Sequence, residues 1–168
     1  VIDDIEVRAV AFKDDGEFNC IIQFDLLSIN YYLYNFVFDA IKAIGLKGFS
    51  SKNVLICATH SHTCPDNFND KNSMDYCRFI AGKAAEALKD AVENLRKGEL
   101  FYTMTQDHRF QFNRRYWMKN GTVVTNPGKL NPEIDHAEGG IDPQIVMMEI
   151  RQHGRPALFI ANISNHTD

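Results

Sequence analysis

Asn53-Val54-Leu55-Ile56-Cys57-Ala58-Thr59-His60-Ser61-His62-Thr63 is the stretch on which the reading of this chain turns. Val54 to Ala58 is a short continuous apolar run, the pattern of a central strand covered on both faces. Two histidines with one residue between them follow it at once. In extended backbone, residues two apart project to the same side, so His60 and His62 can address one point in space. Strand ends in α/β sheets are where ligands collect. A pair of histidines there favours metal binding or catalysis over a merely hydrogen-bonding pair.

Outward from this strand the pattern alternates. Ile5 to Phe12 and Phe18 to Phe24 read as strands of a hairpin, with Asp14-Asp15-Gly16 as the turn. Tyr31 to Ile44 reads as a helix, because Leu33, Phe36, Val37, Ala40, Ile41 and Ile44 recur at three- and four-residue steps and Gly45 supplies a stop. Met74 to Leu95 reads as a second helix, with Ile80, Ala84, Ala87, Leu88, Ala91 and Leu95 as its apolar stripe. Leu100 to Met104, Ile145 to Ile150 and Ala157 to Ile163 read as further strands. The segment from Phe110 to Pro143, thick with Asn, Gly and Pro, reads as a long loop, and loops of that length are usually functional. The expected fold class is α/β, a mixed β-sheet with flanking helices, in one domain over 1–168.

Composition bounds the function. The 168 residues are 45% hydrophobic and 24% charged, which excludes a disordered chain. A net charge of −4 argues against nucleic acid as a partner, since phosphate binding wants clustered Lys and Arg. No apolar run approaches the roughly 18 residues of a spanning helix, so no transmembrane segment is expected. The chain has no initiator Met and stops directly after Asn165-His166-Thr167-Asp168, so it is expected to be a portion of a longer protein. Of the four cysteines, Cys20 and Cys57 lie in apolar runs and read as buried free thiols. The spacing of Cys64 and Cys77 leaves their pairing open.

Two further motifs carry chemistry. Asn165-His166 follows a second apolar strand, repeating the first arrangement; if the two strands are neighbours, His60 and His166 converge at one sheet edge. Asn113-Arg114-Arg115 lies in the long polar segment, where an arginine can clamp a carboxylate or polarise a carbonyl with its planar fork, or simply be solvated. Asp25 either caps the turn after its strand or supports a metal. His108, His136 and His153 read as surface residues.

The ordered set resembles the neutral, non-lysosomal ceramidases. Asn53 to Thr63 resembles that family's strand and "THTHS" signature. Val7-Arg8-Ala9-Val10 with Gln23-Phe24-Asp25 resembles its early hairpin, Asn113-Arg114 its "NR" element, and Ile141-Asp142-Pro143 through Asn165-His166 the stretch leading to its second zinc histidine. The resemblance implies an incomplete neutral-ceramidase-like catalytic domain and a zinc-dependent hydrolysis of an N-acyl amide bond by zinc-activated water. It implies that His60 and His166 bind the Zn2+, that His62 stands beside the reacting amide, and that Arg114 lies near the oxygen that gains charge. The family's remaining ligands, a glutamate and a tyrosine, fall downstream of Asp168, so the 168 residues are expected to hold zinc weakly and not to turn over alone. The substrate implied is a small N-acyl amide or a lipid, with peripheral membrane contact and a secreted or periplasmic setting. Two departures stand out. Thr63-Cys64-Pro65-Asp66 replaces the family's Ser-Gly-Pro, and Asp66-Asn67-Phe68-Asn69-Asp70 replaces its glycine-rich substrate loop.

Three rival readings remain. His60-Ser61-His62 also resembles the metallo-β-lactamase hydrolases, but their following Asp-His is absent here. Asn165-His166 resembles a corner of the metallophosphoesterases, whose "GHxH" follows that corner, whereas His60-Ser61-His62 precedes it. The third is a non-catalytic fragment or decayed relative that serves as a binding or structural module.

Overall fold

Asp15 and Gly16 both hold positive φ, 45° and 84°. Two consecutive left-handed residues make the type I′ turn whose twist matches that of paired strands. The turn closes an antiparallel hairpin of β1 (Val7–Asp14) and β2 (Glu17–Phe24), with Asp14 opposite Glu17 and Val7 opposite Phe24. From β2 the chain crosses through α1 (Tyr31–Ala43) to β3 (Val54–Ala58), which pairs with β2 in parallel, Cys20 opposite Val54 and Phe24 opposite Ala58. α2 (Lys71–Glu93) follows. The computed structural model describes residues 3–67 and 71–166. Phe68 to Asp70 of the expected substrate loop, and Thr167 and Asp168, lie outside the described residues. Two compact units divide the chain, one running to Arg96 and the other covering Lys97–His166.

The core of the first unit follows the sequence periodicity. Cys20, Ile22 and Phe24 alternate along β2 toward the helices, with Leu26 continuing the row. Leu33, Val37 and Ile41 present one stripe of α1, and Cys77, Ile80, Ala81, Ala84, Ala85 and Leu88 one stripe of α2. Burying each of the larger side chains stabilises the unit by about 1.5–3 kcal/mol. Asn30 caps α1, its Oδ1 accepting from Leu33 N at 2.8 Å. At the other end Gly45, at φ 75°, lets its own N–H reach Lys42 O and that of Leu46 reach Ile41 O, the bonds of a Schellman stop. One expectation is corrected. β3 is an edge strand in the order β1-β2-β3, and Leu55 is 59% exposed, so this apolar run is not covered on both faces.

The second unit begins with β4 (Glu99–Gln106). The polar segment read as one long loop instead holds a small sheet of β5 (Arg115–Met118), β6 (Val123–Thr125) and β7 (Ile134–Ala137), in the order β6-β5-β7. Strands of three or four residues between Asn, Gly and Pro leave no alternation long enough to read. β8 (Gln144–Arg151) and β9 (Leu158–Ile163) then form an antiparallel sheet with β4 in the order β4-β8-β9. Parallel and antiparallel pairing beside two helices makes the fold α/β with mixed sheets. Among the described residues, no helix is long and apolar enough to cross a membrane.

Candidate functional site

The ladder between β2 and β3 runs on past both strands. Thr59 N donates to Phe24 O at 2.9 Å and Ser61 N to Leu26 O at 3.1 Å. Between these two bonds His60 turns into the left-handed region at φ 64°. That conformation costs a non-glycine residue roughly 1–2 kcal/mol and collects at functional sites. The ring of His60 swings back so that Nδ1 lies 2.7 Å from Leu27 O. A carbonyl only accepts, so Nδ1 carries the proton, and the lone pair of the neutral ring is on Nε2.

His62 meets that lone pair. Its Nε2 is 3.4 Å from His60 Nε2, and the rings stand edge to face, 89° apart with centroids at 4.9 Å. The two imidazoles thus converge as expected, but by a different route. β3 ends at Ala58, and the positive φ of His60 with the turn beyond it, not extended alternation, brings the rings together.

The segment carrying Leu27 is held from several sides. Leu27 N donates to Cys64 Sγ at 3.2 Å, and Ser28 O accepts from Asn67 Nδ2 at 3.0 Å. Asn67 is fully buried. Its carbonyl accepts from Asn30 Nδ2 and from the Cys77 thiol at 3.7 Å, while its Oδ1 has no hydrogen-bond partner among the described residues. Burial pushes the Cys77 thiol above its usual range, and likewise the Tyr76 hydroxyl, which the neighbouring Cys64 and Cys77 raise further. All four cysteines are free. Sequence reasoning missed this support. Leu27 acts through its backbone, which leaves no signal in residue type, and Asn67 and Cys64 stood only as departures from a pattern.

The remaining candidates belong to the second unit. Arg114 and Arg115 part company. Arg115 forms a two-pronged ion pair with Glu138, with its Nη2 2.8 Å from Glu138 Oε1, and holds that carboxyl below the usual range. Arg114 is exposed, its carbonyl accepts from Asn126 N at 2.8 Å, and its guanidinium has no carboxylate partner among the described residues. His166 follows β9 and is exposed. β3 and β9 belong to different sheets, so the condition attached to that expectation, neighbouring strands, is not met. Asp25 accepts from Arg8 at 3.0 Å and from Glu6 N at 3.2 Å, a structural use of its carboxylate.

The histidine pair fits a metal. Two nitrogens on one tetrahedral zinc at about 2.0–2.1 Å stand about 3.3–3.4 Å apart, and the Nε2 atoms are 3.4 Å apart. A ligating histidine commonly gives its other ring N–H to a backbone carbonyl, as His60 does.

No family model matches the chain, and no curated protein matches it in sequence. Solved structures do match its fold. A neutral ceramidase from Pseudomonas aeruginosa superposes with a TM-score of 0.59 at 21% identity over 88% of this chain and 24% of its own. A ceramidase complexed with C2 superposes with a TM-score of 0.60 at 21% identity over 92% and 25%. The fold is ceramidase-like, and the chain spans about a quarter of those proteins' length.

Proposed function

We propose that the chain forms part of a zinc-dependent amidohydrolase, with His60 and His166 as zinc ligands. The observation that carries this reading is His60 itself, whose bond to Leu27 leaves the lone pair of its neutral ring on Nε2, 3.4 Å from a nitrogen of a second imidazole. The likeness to ceramidase structures over 92% of the chain supports it. Bound zinc would supply polarisation of the scissile carbonyl and a water acidic enough to ionise near neutral pH. His62 takes a proton from the attacking water and returns it to the departing amine nitrogen. Arg114, with no carboxylate partner among the described residues, donates N–H to the carbonyl oxygen as charge develops there. The substrate class is an N-acyl amide, small or lipid, with peripheral contact at a membrane surface.

The Nε2 spacing of 3.4 Å favours one second reading, in which His62 is itself a ligand. Metal content and amide hydrolysis of the full-length protein separate the two. His60→Ala and His166→Ala should each lose stoichiometric zinc. His62→Ala should keep zinc and lose on the order of 10²–10⁴ in turnover if it moves protons, and should lose zinc if it ligates. Stoichiometric zinc retained in His60→Ala overturns both readings.

A further inference from the structure

Four consecutive contacts tie the loop after β3 to residues 26–28. Ser61 N donates to Leu26 O, Leu27 N donates to Cys64 Sγ, His60 Nδ1 donates to Leu27 O and Asn67 Nδ2 donates to Ser28 O. The Leu27 carbonyl therefore stands between two clamped peptide groups. On one side the 26–27 peptide is held at both ends, its oxygen by Ser61 and its N–H by Cys64. On the other side the Ser28 carbonyl is held by a side chain shut away from solvent.

We infer that Cys64 is a positioning residue for His60. It acts through the 26–27 peptide, whose N–H it holds, and so sets the direction of the following Leu27 carbonyl, which keeps the proton on His60 Nδ1 and the lone pair on Nε2. Thiol sulfur is a weak acceptor, but here it is the acceptor that Leu27 N–H has. Without it the 26–27 peptide is held only through its oxygen by Ser61, and the Leu27 backbone that aims the next carbonyl at the ring is less restrained. The glycine at this place in the ceramidase-like pattern has no side chain to make the contact, so the device belongs to this sequence. Zinc retention by this route rests on the function proposed above; the tautomer of His60 does not.

The test is a long-range ¹H–¹⁵N correlation spectrum of the zinc-free chain, which reads the tautomer of each histidine, with zinc affinity measured in parallel. The unsubstituted chain should show His60 protonated on Nδ1. Cys64→Ala should give a mixture of tautomers and weaken zinc binding about 10–100-fold, the usual effect of losing an outer partner of a ligand. Cys64→Ser, whose hydroxyl can accept from Leu27 N–H, should restore the Nδ1–H form. An unchanged tautomer in a folded Cys64→Ala chain overturns the inference, whether or not zinc binds. Should Cys64→Ala fail to fold, the serine variant carries the test alone, and mixed tautomers there overturn it. A Cys64-dependent tautomer in a chain that takes no zinc upholds the positioning role and removes the zinc reading.

Discussion

His60 combines a strained backbone with a well-held side chain, as strained residues persist where their surroundings fix them. At φ 64° a Cβ is costly, yet this conformation is what turns the ring onto Leu27 O. Removing the ring exposes the backbone term by itself. His60→Gly should be more stable than His60→Ala by about 1 kcal/mol in urea unfolding, because glycine accepts the left-handed region. Alanine as stable as glycine would mean that the backbone there is not left-handed. Cys20 offers a second residue-scale check. Buried at 3% exposure, its thiol is pushed up to about 11 from an ordinary value of 9.0. A raised folded value means that the native state favours the neutral thiol. That contribution is complete below 9.0 and is lost as pH rises through about 11. Iodoacetamide at mildly alkaline pH should leave Cys20 unlabelled in the native chain and mark it after unfolding, as read by peptide mass spectrometry. Native-state labelling of Cys20 would contradict its burial.

At the scale of elements, the two helices bind the first sheet into a core, and their ends are set by side chains visible in the sequence. Leu88→Ala, at a position with no exposure, should cost about 2–5 kcal/mol. Asn30→Ala should cost about 1 kcal/mol through the lost cap of α1. Denaturant titrations followed by far-UV circular dichroism measure both, and a smaller loss at Leu88 than at Asn30 would contradict the packing described. Both helices, the hairpin and the outer strands were legible because each has one dominant signal: a three-to-four-residue stripe, an Asp-Gly turn, a run of apolar residues. The sheet of β5 to β7 was not, since it rests on pairing between distant short segments. The exposed edge position of β3 was not either, because an apolar run does not say how many of its faces are covered.

For the whole molecule, the chemistry-bearing residues are distributed along the chain, with His60 and His62 in the first unit and Arg114 and His166 in the second. The meeting of the two adjacent histidines could be read from their spacing, although the turn that achieves it could not. Leu27, Cys64 and Asn67 were beyond reach, because their role lies in the order of backbone contacts rather than in residue type. The mixed α/β class was legible from the alternation of patterns and agrees with the ceramidase-like fold. The proposal that one zinc is shared by His60 and His166 is tested most directly by diffraction at the zinc absorption edge from crystals of zinc-loaded full-length protein. The predicted result is a single anomalous peak with His60 Nε2 and a His166 ring nitrogen both at about 2.0–2.1 Å. A peak away from His60, or one bound by His60 with His166 out of reach, would contradict it.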